Sequence, residues 1–107
     1  MSKPPSDLLI RDNPEKHRFQ ADLGDGSLAI AAYHLSADTI AFTHTEVPPD
    51  HEGHGVGSAL IRFSLDAARN RGLQVIPACA FYAAYMKRHS EVQDLIEPSY
   101  RKDLGLE

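Results

Sequence analysis

The stretch that decides the fold is Glu52–Ser58, with the sequence EGHGVGS, which leads directly into the amphipathic segment Ala59–Phe63. Glycines stand at positions 53, 55 and 57. The first N–H groups of a helix have no partner within the helix, and glycines let a ligand approach them closely. Because the helix dipole adds partial positive charge at the same place, the stretch predicts an anion site, most often for phosphate.

Two well-known glycine-rich motifs do not fit this spacing. A P-loop requires Lys directly before Ser58, where Gly57 stands instead. A dinucleotide fingerprint requires a third glycine where Ser58 or Leu60 stands. The structural alternative is a tight turn that needs only positive φ, but three glycines in five residues exceed that requirement. We interpret the loop as a binding site for a phosphorylated cofactor, formed by Gly53, His54, Gly55, Val56, Gly57 and Ser58.

The order of the predicted elements indicates an α+β fold. Apolar residues that alternate with polar ones, Asp25-Gly26 as a hairpin signal and Pro48-Pro49 as a strand end together predict an antiparallel meander. A helix and a short strand follow, and a crossover of this length favours a parallel neighbour. The predicted strands span 18–23, 28–35, 39–47 and 73–76, and the predicted helices span 57–71 and 80–89.

Three finer expectations concern the helices and the ends of the chain. Val56, Leu60, Phe63 and Ala67 recur at helical spacing and are expected to form the buried face of the first helix. Ser90-x-x-Gln93 has the form of a capping box for a short third helix. Polar and proline-containing ends predict a flexible tail over 1–15, one domain over 16–96 and a peripheral tail over 97–107.

Composition limits the class of protein but does not indicate which reaction it catalyses. The chain has 107 residues, a formal net charge of −4 and one cysteine. A single domain without an internal disulfide is therefore expected, in a reducing, cytoplasmic compartment. The negative charge argues against a nucleic-acid partner, and the run Leu28–Leu35 is too short to cross a membrane.

The flanks of the glycine loop add a family resemblance. They are His44–Pro49 before the loop, and Val75–Phe81 and Tyr85–Glu91 after it. Together with the loop they resemble the small, single-domain, Gcn5-related N-acetyltransferase-like family over about residues 16–96. The resemblance implies a minimal fold of that family with acetyl-CoA bound at the loop. Glu52 stands where larger relatives usually carry Gln or Arg, and those relatives have further elements that shape the acceptor pocket.

Four residues are candidates for catalysis, namely Cys79, Glu46, His44 and Tyr85. Cys79 lies just ahead of a predicted helix start, which favours a thiolate, and the resemblance places it near the acyl carbon. The alternative is a small buried packing residue. Glu46 falls where many relatives carry a base, and His44 lies on the same strand face. The alternative for this pair is an ordinary solvent face.

The resemblance also suggests Tyr82 or Tyr85 as the general acid toward the CoA thiolate, although such rings are more often packing residues. A metal set of His44, Glu46, His51 and His54 is disfavoured, because a glycine loop holds ligands poorly. The expected reaction is acetyl transfer from acetyl-CoA to an amine of a small molecule or protein, either directly or through Cys79. The alternative is a non-catalytic CoA-binding or protein-interaction module.

Overall fold

A five-stranded sheet forms the frame of the computed structural model, which describes residues 8–106. The strands, in chain and sheet order, are β1 (Leu9–Asn13), β2 (Arg18–Asp22), β3 (Leu28–Ser36), β4 (Thr39–Glu46) and β5 (Gln74–Pro77). The α-helices are α1 (Val56–Asn70), α2 (Ala80–Arg88) and α3 (Pro98–Asp103). Short 3₁₀ helices span Pro14–Lys16, Pro49–His51 and Ser90–Leu95.

The sheet is an antiparallel meander extended by one parallel strand. Each pair from β1 to β4 is antiparallel, and β5 pairs in parallel with β4 after the α1 crossover. The predicted α+β fold class, with its order of meander, helix, parallel strand and helix, is therefore confirmed.

One face of the sheet carries the core. Alternate strand residues such as Phe19, Ala31 and Phe42 are fully buried under α1 and α2. The Phe42 ring stacks on the Tyr82 ring of α2, with centroids 4.2 Å apart and planes at 5°. We call the opposite side of the sheet the rear face. It carries the intervening residues, which include Arg18, Gln20, Ile30, Ala32, His44 and Glu46.

A β-bulge in β4 decides which side chains reach the rear face. Tyr33 pairs with Phe42, whereas Ala32 pairs with His44, so Thr43 is the extra residue. Without the extra residue, Phe42 and His44 would point to the same side of the sheet. The bulge therefore turns His44 to the rear face and Thr45 to the helix side.

The prediction of a flexible N-terminal tail over 1–15 is wrong for the part of it that the structure describes. Leu9–Asn13 pair with β2, and Ile10 packs against the core. An edge strand with few inward apolar residues gives only a weak alternation of polar and apolar residues. Its polar composition is therefore like that of a flexible tail. Residues 1–7 lie outside the described residues.

The C-terminal tail over 97–107 also differs from the prediction. The Glu97 N–H donates to the Val75 carbonyl at 2.8 Å, and α3 follows directly. Tyr100, Leu104 and Leu106 pack against the core. These apolar residues are separated by charged ones, which hid a short helix that docks by only a few side chains. Glu107 lies outside the described residues.

Two helix expectations are corrected. In α1 the buried side chains include Leu60, Ile61, Ser64 and Leu65, whereas Phe63 is 41% exposed. Val56 and Leu60 are buried as predicted, but Ser64 and Ala68 are buried in place of Phe63 and Ala67, so only the second half of the stripe lies one position away. Burial of Ser64 was not expected, because a serine contributes nothing to a hydrophobic pattern.

The predicted capping box does not form. Ser90 begins a 3₁₀ helix whose N-cap is His89, and the N-cap side chain makes no capping bond. The Gln93 side-chain amide instead donates to the carbonyls of Met86 and Lys87, at 3.0 and 3.2 Å. Gln93 therefore satisfies the open C-terminal carbonyls of α2 rather than the start of the next helix.

The buried pair of Ser64 and Tyr82 generates a stability prediction. The Ser64 hydroxyl donates to the Ile61 carbonyl at 2.8 Å, so the Tyr82 hydroxyl donates to Ser64 Oγ at 2.7 Å. Tyr82→Phe is expected to cost about 1 kcal/mol of unfolding free energy. In a domain of this size that lowers Tm by about 4–8 °C in a thermal melt. Tyr100→Phe, on the half-buried α3 side chain, is the control, and an equal loss in both variants would contradict the assignment.

Candidate functional site

A groove of about 910 Å³ lies between the end of β4 and the start of α1. We call it the loop groove. Its wall on the β4 side is Thr45, Glu46 and Val47, and its other wall includes Phe81 of α2. The remaining lining residues are Leu28, Pro48, Pro49, His51, Glu52, Gly53, Gly55, Val56, Gly57 and Ser58. The glycine stretch identified in the sequence therefore borders the groove, with His54 the loop residue outside its lining.

The glycine loop presents unpaired backbone donors to this groove. Gly53 and Gly55 both have φ of 82°, the left-handed region that glycine adopts without a steric penalty. Gly55 is the N-cap of α1, and no side chain caps the helix. The first bond inside the helix runs from the Ala59 N–H to the Gly55 carbonyl at 3.0 Å. The N–H groups of the residues between them, positions 56–58, are therefore available to an anion.

A hydrogen bond fixes the segment that leads into the loop. His51 Nε2 lies 2.8 Å from Asp25 Oδ2, which joins the 3₁₀ turn before the loop to the β2–β3 hairpin. Ser27 also donates to Asp25, from both its hydroxyl and its N–H. The bond from the Ser27 hydroxyl, followed by that from His51, holds the pKa of Asp25 well below its usual range. The carboxylate stays ionised at neutral pH and keeps both segments together.

The ends of β4 and β5 diverge beside the loop groove. Their pairing runs from Thr39–Gln74 to Phe42–Pro77, and the Cys79 N–H then donates to the Phe42 carbonyl at 2.8 Å. β4 continues to Glu46 beyond this last bond. A gap therefore opens between the two strand ends.

Cys79 and Thr45 meet at this gap. The Cys79 Sγ lies 3.3 Å from Thr45 Oγ1, and the thiol is half-buried. Cys79 is the N-cap of α2, the location predicted from the sequence. Thr45 lines the loop groove, whereas Cys79 is not one of its lining residues and adjoins it through the contact with Thr45. The sequence reasoning did not single out Thr45, because a threonine in a strand carries no chemical signal of its own.

His44 and Glu46 form a pair at the open end of the gap. His44 Nε2 lies 2.8 Å from Glu46 Oε2, and the two side chains are 58% and 65% exposed. Cross-strand pairing with Ala32 and Ile30 places both on the rear face, as their shared-face prediction required. Glu46 is also among the residues that line the loop groove, so this residue borders both the groove and the rear face.

The two tyrosines of α2 lie in different surroundings. Tyr82 is fully buried, and that burial raises the pKa of its phenol. Tyr85 stacks on His89 with ring centroids 3.9 Å apart and lines a second groove of about 710 Å³, not the loop groove. Burial raises the pKa of Tyr85 as well. The α2 aromatic residue that lines the loop groove is Phe81, which is 55% exposed.

The four residues considered as a metal set are separated into pairs. His44 contacts Glu46, and His51 contacts Asp25. Within the part of the chain that the structure describes, no group of three or more His, Cys, Asp or Glu side chains is arranged to hold a metal ion.

Comparison with known proteins identifies the family. The family model described as GCN5-related N-acetyl-transferase matches residues 18–95, so the chain belongs to this family. Its cofactor is therefore acetyl-CoA, and its chemistry is N-acetyl transfer, as the sequence predicted. Among residues 8–106 no helix is long and apolar enough to cross a membrane.

One solved structure shows the same fold. The solution structure of a GCN5-like protein from Staphylococcus aureus is 26% identical, with a TM-score of 0.67, over 86% of this chain and 90% of that chain. The crystal structure of Rv2747 from Mycobacterium tuberculosis, in complex with CoA and NLQ, is 23% identical over 91% of this chain and 78% of that chain. Its TM-score of 0.49 is too low for a detailed comparison. A search of curated proteins found no match.

The glycine loop generates a binding prediction that separates charge from strain. Gly55→Asn and Gly55→Asp introduce side chains of nearly equal size at a positive φ, which both residues tolerate. Only Asp adds a negative charge beside the free N–H groups. Wild-type protein is expected to bind acetyl-CoA with micromolar Kd, and Gly55→Asp to bind at least tenfold more weakly than Gly55→Asn.

Isothermal titration calorimetry measures both affinities, and circular dichroism checks that both variants are folded. Equal affinity for acetyl-CoA in the Asn and Asp variants would contradict the assignment of the loop as the phosphate site.

Proposed function

We propose that the protein transfers the acetyl group of acetyl-CoA to an amine at the gap between the ends of β4 and β5. One observation carries this proposal. The loop groove joins the free N–H groups at the start of α1 to Thr45 and Glu46, and Thr45 contacts Cys79. A single ligand that binds along this groove therefore has an anion site at one end and titratable side chains at the other.

The residues of the groove fit the parts of the cofactor. The N–H groups of positions 56–58 suit the pyrophosphate, since they have no acceptor inside the helix. Val47, Pro48 and Phe81 form an apolar wall beside Thr45, which suits the uncharged arm. Bound there, acetyl-CoA supplies an activated acetyl thioester.

Glu46 is proposed to accept the proton of the acceptor amine. When an amine attacks the thioester, its nitrogen must lose a proton to give a neutral amide. A carboxylate within hydrogen-bond reach can accept that proton. Glu46 borders both the loop groove and the rear face, so it can meet an amine that approaches from the rear. His44, at 2.8 Å from the same carboxylate, orients it and provides a second proton acceptor.

Cys79 is proposed as the residue nearest the acyl carbon, and it allows two routes. In the direct route the amine attacks the thioester and the CoA sulfur leaves. In the covalent route the Cys79 sulfur forms the new bond to the acetyl carbon while the bond to the CoA sulfur breaks, and the amine then displaces Cys79. Thr45 Oγ1 is close enough to hydrogen-bond the sulfur in either route.

Tyr85 as the acid that protonates the CoA thiolate stays a prediction. Burial raises the pKa of its phenol, which keeps the proton in place at neutral pH and makes the group a weaker acid. Its position in the second groove requires a water or a side-chain movement to reach the gap. Tyr85→Phe tests the role through the rate of CoA release.

The base assignment predicts a loss of turnover without a loss of cofactor binding. Glu46→Gln keeps the shape of the side chain and removes the proton acceptor, so kcat is expected to fall by about 10²-fold or more. His44→Ala is expected to lower kcat less, because it removes the partner of the base rather than the base. Both are measured as acetyl transfer to a panel of amines, with acetyl-CoA affinity from calorimetry expected to stay unchanged.

Glu91→Gln, which removes a carboxylate from the distant 3₁₀ helix, is the matched control. If neither Glu46→Gln nor His44→Ala slows transfer to the best amine, the base assignment is wrong. If wild-type protein binds acetyl-CoA and acetylates no amine, the protein is instead a CoA-binding module.

The covalent route makes a separate prediction for intact mass. Since Cys79 is the one cysteine of the chain, incubation with acetyl-CoA is expected to add one hydroxylamine-sensitive acetyl group there. Cys79→Ala is expected to lose this label and still bind acetyl-CoA. Cys79→Ser nearly keeps the volume but is a far poorer nucleophile without a strong base. Full turnover in Cys79→Ser would show that the amine attacks acetyl-CoA directly and that Cys79 is a packing residue.

A further inference from the structure

We infer that the acceptor is a small amine that also carries a carboxylate, bound across the rear face between Glu46 and Arg18. The inference rests on the proposed function, because it uses Glu46 as the group that meets the amine. It adds the substrate class, which follows from the other residues of the rear face.

The rear face places two rows of residues side by side. In one row Gln20 of β2 pairs with Ile30 of β3, and Ile30 pairs with Glu46 of β4. In the next row Arg18 pairs with Ala32, and Ala32 pairs with His44. Paired residues point to the same side of a sheet. Each row therefore runs from a hydrogen-bond donor on β2, over an apolar residue, to a proton acceptor on β4.

A network of hydrogen bonds fixes the β2 end of these rows. Gln20 is only 6% exposed, and its Oε1 accepts bonds from Asn13 Nδ2 at 3.0 Å and from Arg18 Nε at 3.1 Å. The bond through Nε holds the guanidinium in place and leaves its terminal nitrogens free to bind another group. Among residues 8–106, Arg18 forms no ion pair.

The Gln20 amide supplies a second donor. Both bonds to Gln20 end on Oε1, and Nε2 has no acceptor in the described part of the chain. Because no wholly buried side-chain nitrogen or oxygen there lacks a partner, Nε2 keeps contact with solvent. A held guanidinium beside a free amide N–H is a receptor for a carboxylate, since both are donors and one is positively charged.

The spacing and charge select the rest of the acceptor. Two strand spacings, about 9.5 Å, separate β2 from β4, and the rows of Arg18 and Glu46 are offset by two residues, about 6.7 Å, along the strands. The backbone positions are therefore about 12 Å apart, and the side chains at both ends shorten the distance to be bridged. Ile30 and Ala32 are half-buried and provide an apolar floor between the ends. A zwitterion with an ammonium group at Glu46, a carboxylate at Arg18 and an aliphatic chain between them matches all three features.

The test compares two amines that differ only in the carboxylate. ε-Aminocaproate and its neutral amide have the same chain and the same amine. Wild-type protein with acetyl-CoA is expected to acetylate the carboxylate about tenfold more efficiently in kcat/KM, mainly through a lower KM. Arg18→Gln is expected to remove this preference by raising KM for ε-aminocaproate while leaving the amide unchanged.

Arg88→Gln is the matched control, because Arg88 is exposed in the last turn of α2, away from the rear face. It removes the same charge and is expected to keep the preference. Arg18→Lys, which restores the charge without the planar fork, is expected to regain part of it. An equal efficiency for both amines in wild-type protein, or an unchanged preference in Arg18→Gln, overturns the inference and leaves the proposed function intact.

A binding measurement decides the inference without turnover. Titration of ε-aminocaproate into the CoA-loaded protein is expected to shift the Gln20 side-chain amide signal in the NMR spectrum, and the neutral amide to shift it little. Absence of that shift overturns the inference whatever the kinetics show. Failure of the proposed function is recognised separately, by absence of acetyl transfer to every amine tested.

Discussion

The hydrogen bond from the Cys79 N–H to the Phe42 carbonyl is the constraint on which the site depends. Among the described residues it is the last backbone hydrogen bond between the β4 strand and the segment that follows β5, and beyond it the two backbones separate. Phe42 is itself held by its stacking on Tyr82, whose hydroxyl is bonded to Ser64 on α1. One buried cluster thus fixes β4, α1 and α2 at the point where the gap begins. The positions of Thr45 and Cys79 follow from that cluster, because each is within three residues of a member of it.

The bulge at Thr43 gives the two sides of the sheet different tasks. Before it, the inward residues of β4 fill the core, and after it Thr45 faces the helices while His44 and Glu46 face the rear. A regular strand would have put His44 on the side of the helices, in the space where the loop groove lies. With the bulge, a cofactor on the helix side and an amine on the rear side can meet at one gap without competing for the same surface. Bulges next to active sites commonly redirect a side chain in this way.

The fold and the glycine loop could be predicted from the sequence, because both depend on local patterns. Glycine spacing, alternation in β2 to β4 and the crossover helix are each set by neighbouring residues. The bulge could not be predicted, because it depends on how β3 and β4 pair. The burial of Gln20 could not be predicted either, because its side chain is held by Asn13 of β1 and Arg18 of β2. The edge strand β1 and helix α3 dock by few apolar side chains, so their composition resembles a tail. The pairing of Thr45 with Cys79 joins residues 34 positions apart and has no local signal.

The charge distribution around the loop bears on the proposed phosphate site, which has no Lys or Arg side chain. The stretch 52–58 contains no Lys or Arg, and Asp50 and Glu52 are both acidic. Backbone N–H groups and the helix dipole must then supply most of the attraction, since side-chain charge opposes it. Such donors act only when the backbone is held in one conformation, because a mobile loop would lose that order on each release of ligand. The bond from His51 to Asp25 holds the entry of the loop, and Gly53 and Gly55 adopt the left-handed conformation that its turn requires. In the proposed site, backbone donors therefore take the place that a cationic side chain has in other phosphate sites.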